Sequence, residues 1–149
     1  MDWKKIAGRK KENRYKDLPL PLTVTSMHDV EGLCDSIRER YGLDEVDFDE
    51  LYLNIVSTEP PLPELADLFF QPISYLFQDT LFLIRVELPS FQRSLCYLDT
   101  ASQTLVHLDR VNLTGKPIFD SRGNTVSITF RTPFKKKVYL LDFSEETPI

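Results

Sequence analysis

Two cysteines and two histidines are the side chains of this 149-residue chain that could act as a soft nucleophile or an imidazole base, so catalysis would show first in their spacing. Cys96 and His107 lie in flanking segments of strand type joined by the short link Thr100-Ala101-Ser102-Gln103. A hairpin closed there sets Cys96 opposite His107, within reach for a thiol and its base. Positions in the middle of a strand, however, supply neither a helix N-terminus nor oxyanion donors, so ordinary sheet packing is the simpler reading of the pair. Cys34 and Cys96 stand 62 positions apart with no paired ligand spacing, and with only His28 and His107 as imidazoles no zinc site is expected. Both thiols are expected to be reduced and buried. Five glycines form no phosphate-binding fingerprint, and neither a Gly-x-Ser-x-Gly elbow nor a His-Glu-x-x-His motif occurs. The chain therefore reads as non-enzymatic, with no metal or cofactor expected. An enzyme with a scattered site such as Cys96/His107 is the remaining alternative.

The charges say more. The formal net charge is −5, yet residues 1–16 hold Lys4, Lys5, Arg9, Lys10, Lys11, Arg14 and Lys16 against Asp2 and Glu12, a local +5. Residues 17–149 consequently carry −10. Acidity peaks between Asp29 and Glu59, where ten carboxylates face only Arg38 and Arg40. Basic arm and acidic body thus attract each other, and each suits a partner of opposite sign.

The elements that would hold these residues follow from periodicity. Pro19-Leu20-Pro21 enforces an extended backbone, which predicts a basic arm and proline-rich linker over 1–22 and one α+β domain over 23–149. Ser26 is placed to cap a helix with Asp29 three residues on. Val30, Leu33, Cys34, Ile37 and Tyr41 share one helical face ahead of Gly42, so the spacing predicts a helix from Ser26 to Tyr41. Leu51–Ser57 reads as a strand. Pro63 followed by Leu65, Leu68 and Phe69, with Pro72 before Ile73, Leu76 and Phe77, predicts one broken helix or two short ones. From residue 81 the period becomes two. Runs near 82–88, 94–99, 104–111, 126–130 and 138–143, separated by turn residues, predict an antiparallel sheet of about four to six strands in the C-terminal half, covered by those helices. The 42% hydrophobic content is enough for such a core, and no apolar run approaches the roughly 20 residues of a membrane span. With no secretory-type apolar run behind the first lysines, a cytoplasmic location and no membrane partner are expected.

The leading functional expectation is a protein-binding module of immunity, inhibitor or adaptor type. Its acidic helix-loop edge, Asp35, Glu39, Asp44, Glu45, Asp47, Asp49 and Glu50, would engage a basic partner, with Tyr41, Phe48 and Tyr52 as aromatic anchors. The alternative is a nucleic-acid-associated accessory protein that binds through the basic residues of 1–16, with Trp3 and Tyr15 available for stacking and Lys135-Lys136-Lys137 as a second cluster. The edges of a short sheet could also pair between chains, which leaves homodimerisation open.

Overall fold

A computed structural model describes residues 12–44, 52–113 and 115–144. Runs rich in Val, Ile, Thr and aromatics become strands, ten among the described residues, and the chain divides into two compact units, 1–110 and 111–149.

The first unit is built on one sheet whose strand order equals chain order: β1 (Glu12–Tyr15), β2 (Leu22–Ser26), β3 (Asn54–Thr58), β4 (Phe69–Phe77), β5 (Thr80–Val86), β6 (Arg93–Asp99) and β7 (Thr104–Val111). The pairings from β1–β2 through β5–β6 are antiparallel. The β6–β7 link falls where the sequence places it. Asp99 ends β6 by accepting the amides of Ala101 and Ser102 at 3.0 and 3.3 Å, and buried Thr100 donates both N–H and Oγ1–H to the Asp79 carbonyl.

Alternation along the strands makes two apolar faces. On one, Leu22, Val24, Val56, Phe70, Leu81, Leu83, Cys96 and Leu98 pack together. On the other, Met27, Ile37, Leu53, Phe69 and Val86 form a second cluster, to which α1 (Leu33–Tyr41), the one α-helix among the described residues, adds Leu33, Cys34 and Tyr41 at its margin.

Several expectations change here. β1 pairs with β2 from Glu12↔Thr25 to Tyr15↔Leu22, and Leu20, in the proline-containing link between the two strands, is buried. The helix foreseen from Ser26 to Tyr41 is divided. Ser26 does cap, its Oγ accepting the His28 amide at 3.2 Å, but what it caps is a 3₁₀ turn, Met27–Asp29. Gly32, at φ 79°, then breaks the helical path, and α1 starts only after it. Gly42 closes α1 as expected, with the next amide, Leu43, donating to the Arg38 carbonyl at 3.2 Å.

The broken helix foreseen after Pro63 is mostly strand. Only Pro63–Leu65 is helical, a 3₁₀ turn whose first residue has no amide to waste. From Phe69 the chain is β4, paired with β5. Pro72 sits in a bulge between the pairs Phe70↔Arg85 and Ser74↔Leu83, where its missing N–H costs the ladder nothing. The apolar positions of this run fit either period, and the buried neighbour β5 decides between them. The sheet-rich, antiparallel character stands, but the sheets extend through both halves of the chain, and the covering helices reduce to α1 and two 3₁₀ turns among the described residues.

The second unit is a three-stranded antiparallel sheet of β8 (Ile118–Arg122), β9 (Thr125–Arg131) and β10 (Lys136–Asp142), ordered β10-β9-β8. Val126, Ile128 and Phe130 of β9 are buried, and Tyr139 meets Phe130 edge-on with ring centroids 6.1 Å apart.

Candidate functional site

Carboxylates line the outer side of α1 because its inner side is occupied by Leu33, Ile37 and Tyr41 at the second core cluster. Asp29, Glu31, Asp35, Glu39 and Asp44 are all exposed. The two arginines of the helix are engaged: Arg38 Nη1 lies 3.1 Å from Asp35 Oδ1, and Arg40 Nη1 lies 3.3 Å from Asp67 Oδ1, outside the helix. Arg40 also stands over the Tyr41 ring, 5.6 Å from its centroid, and the hydrogen bonds it donates to Tyr41 and then Asp67 hold its guanidinium above the ordinary range. Of the residues expected at this edge, Asp35, Glu39, Tyr41 and Asp44 are thus on or beside α1. Glu45, Asp47, Phe48, Asp49 and Glu50 lie outside the described residues.

Beside this surface runs a cleft of about 450 Å³. One wall is β3, with Ile55, Val56, Ser57 and Thr58 all contributing, and the other is the arch from Pro61 to Leu68. Val30 and Leu33, at the approach to α1, line it too. Four consecutive strand residues can border one cavity only if it lies against the strand's edge, since alternate side chains point to opposite faces. The cause is a ladder that stops short: β3 and β4 are matched only at Asn54↔Phe70. No motif marks this cleft, because it arises from where two strands part company. Its one trace in the sequence is the cluster Pro60, Pro61 and Pro63 at the start of the arch.

A second feature missed from sequence is a contact between Cys34 and His28, with Sγ 3.4 Å from Nδ1 and the Tyr52 ring 5.2 Å from the imidazole. The Cys34 Sγ also lies 3.7 Å from the Met27 carbonyl. Burial, and after it the Asp35 charge, push the thiol's pKa up, the opposite of what activates a cysteine nucleophile. Spacing of six residues across a turn carried no motif. Cys96 is fully buried, with its Sγ 3.7 Å from the Leu83 carbonyl, and desolvation pushes its pKa up to about 12, whereas His107 is exposed. Those properties speak against Cys96 as a nucleophile. Among the described residues, no three His, Cys, Asp or Glu side chains come together in a way that could hold a metal ion, and no helix is long and apolar enough to cross a membrane.

The basic residues separate. Lys4, Lys5, Arg9, Lys10 and Lys11 lie outside the described residues, Arg14 is on β1, and Lys16 follows it, exposed. In the second unit, Lys135 and Lys136 lie at the β9–β10 turn, where Thr132 Oγ1 accepts the Lys135 and Phe134 amides at 3.0 and 3.4 Å and the Thr132 amide donates to the Lys135 carbonyl at 2.7 Å. This tie holds Phe134 out at 93% exposure between Arg131 and the lysines. Register sets Ile118, Thr129 and Val138 in one row of the sheet's outer face, with Leu140 two residues along, and the three hydrophobic side chains are exposed. The chain matches no protein-family model, no curated protein and no solved structure.

Proposed function

We propose that this chain is a non-enzymatic protein-binding module, of the inhibitor, immunity or adaptor kind, whose acidic surface around α1 engages a basic partner. The observation that carries the reading is the arrangement of charge on α1: five exposed carboxylates on the helix and its flanks, while Arg38 and Arg40 are held by Asp35 and Asp67. A field of one sign on a helix anchored by its inner face steers and orients an oppositely charged protein. Affinity capture with the intact chain and with the E31K/E39K/D44K variant, read by mass spectrometry, tests it. A basic protein captured by the first and lost by the second is the expected result, and capture unaltered by charge reversal overturns the reading.

The alternative, contact with nucleic acid, draws support from the β9–β10 turn. An aromatic ring held out at 93% exposure among cations is a stacking platform with phosphate contacts beside it. Fluorescence anisotropy with a single-stranded oligonucleotide separates the two readings. Binding that weakens steeply with salt, and falls severalfold in Phe134→Ala, would favour nucleic acid.

A further inference from the structure

We propose that the cleft between β3 and the arch 61–68 is a slot for one extended segment of a partner protein, which adds a strand to β3 where the sheet's own ladder stops. The inference deepens the protein-binding reading and rests on it for the partner's class and charge, while the slot itself is argued from backbone geometry.

Hydrogen bonds at both ends of β3 fix which way its backbone faces. The Glu59 amide donates to the Pro21 carbonyl at 3.0 Å, and the Met27 amide donates to the Leu53 carbonyl at 2.9 Å. Residues 53 and 59 thus turn their polar groups toward β2. In an antiparallel ladder the direction alternates residue by residue, so Ile55 and Ser57 also face β2, while Asn54, Val56 and Thr58 face away from it. Asn54 meets Phe70 of β4. Continued in that register, Val56 would lie opposite Leu68 and Thr58 opposite Ala66. The 3₁₀ turn Pro63–Leu65 and Asp67, at φ 61°, carry the chain away instead, and no further β3–β4 pair forms among the described residues. The amides and carbonyls of Val56 and Thr58 are therefore aimed into the cleft.

Two such rungs, one residue apart along a strand, recur at about 6.6 Å, the repeat of an extended peptide. Main-chain groups at that spacing recognise another main chain, and apolar walls on both sides receive its alternate side chains. The walls suit apolar residues: Leu33 and Ile55 lie toward the α1 cluster, Val56 and Leu65 toward the other core. The Thr58 hydroxyl is already committed, donating to the Pro60 carbonyl at 2.9 Å, so the open groups there are those of the backbone. The segments that line the cleft are acidic: Asp67, paired with Arg40, is one of the lining residues, Glu64 is exposed within the arch, Glu59 is exposed next to β3, and Asp29 and Glu31 flank Val30. The fitting segment is extended, with β-branched residues alternating with cations.

Amide hydrogen exchange of the full chain, followed by NMR, tests this with the probe Ac-Lys-Val-Lys-Val-Lys-Val-amide, its neutral analogue with Thr in place of Lys, and a version of the first N-methylated at alternate residues. In the free protein, the Val56 and Thr58 amides should exchange at least about tenfold faster than those of Ile55 and Ser57. The first peptide should slow Val56 and Thr58 selectively by about tenfold or more, and N-methylation on the hydrogen-bonding side should weaken binding by about tenfold. Equal protection of all four amides in the free protein overturns the slot, as does failure of both unmethylated peptides to bind at millimolar concentration. Salt-sensitive binding that leaves Val56 and Thr58 unprotected and disappears in E31K/E39K/D44K also overturns it, but leaves the acidic-surface reading standing. Selective protection by the neutral peptide that survives in the charge-reversed variant supports the slot and removes the acidic surface from the reading.

Discussion

The thiol of Cys96 has lost its water, and the charge and backbone hydrogen bond of nearby Arg85 offset only part of that loss, so ionising it in the folded chain is costly. With the folded pKa near 12 and the unfolded value near 9.0, the unfolded chain releases the proton first as pH rises. Stability from this group is therefore complete below about pH 9 and is lost progressively toward pH 12. Urea unfolding across that range should show a steeper decline for the native chain than for Cys96→Ala. Alkylation at pH 8 should label Cys34 more slowly than a free thiol, because its pKa is raised as well, and should reach Cys96 only after denaturation. Of this, the burial of Cys96 and the strand that holds it were legible in the sequence, whereas Cys34, expected to be buried, is only half-buried. The sequence could not show that Cys34 meets His28, which depends on a turn at Gly32 rather than on a continuous helix.

Elements obey the same mixture of local and distant causes. Runs with a clear period of two, such as β5, and turns marked by Asp99 or Gly123-Asn124, were legible because their residues state the conformation locally. β4 was not, since its apolar positions fit either period and only β5 beside it decides. The acidic face of α1 was legible as composition, whereas the cleft beside it depends on how early the pairing of two consecutive strands stops, which no local motif states. Two glycines separate backbone strain from crowding. A Cβ at Gly32 meets nothing within 4 Å, so Gly32→Ala should cost about 1 kcal/mol through its positive φ alone. At Gly115 a Cβ would stand 2.5 Å from the Arg131 carbonyl oxygen, and Gly115→Ala should cost about 2 kcal/mol by forcing the backbone at the end of β9 aside. Chemical denaturation measures both.

For the whole molecule, the arm joins charge and architecture, and the two can be cut apart. Deleting residues 1–11 removes five cations and one acid and takes the net charge from −5 to −9, yet leaves β1 in place. Deleting 1–16 strips β1 from β2 and bares the edge of a strand that carries Leu22 and Val24. The shorter deletion should keep the melting temperature within a few degrees, whereas the longer one should lower it and raise light scattering on heating. Loss of oligonucleotide binding already in the shorter deletion would assign that activity to the arm. The turn at Phe134 has a consequence of another kind, for proteolysis. A protease that cuts after aromatic residues needs several residues drawn out straight in its groove, and a side chain at 93% exposure looks like an open invitation. The Thr132 bonds to Phe134 and Lys135 keep that stretch folded back on itself. Limited digestion with chymotrypsin should therefore spare Phe134 in the native chain and cut there once Thr132→Ala releases the turn: at this site accessibility and susceptibility come apart.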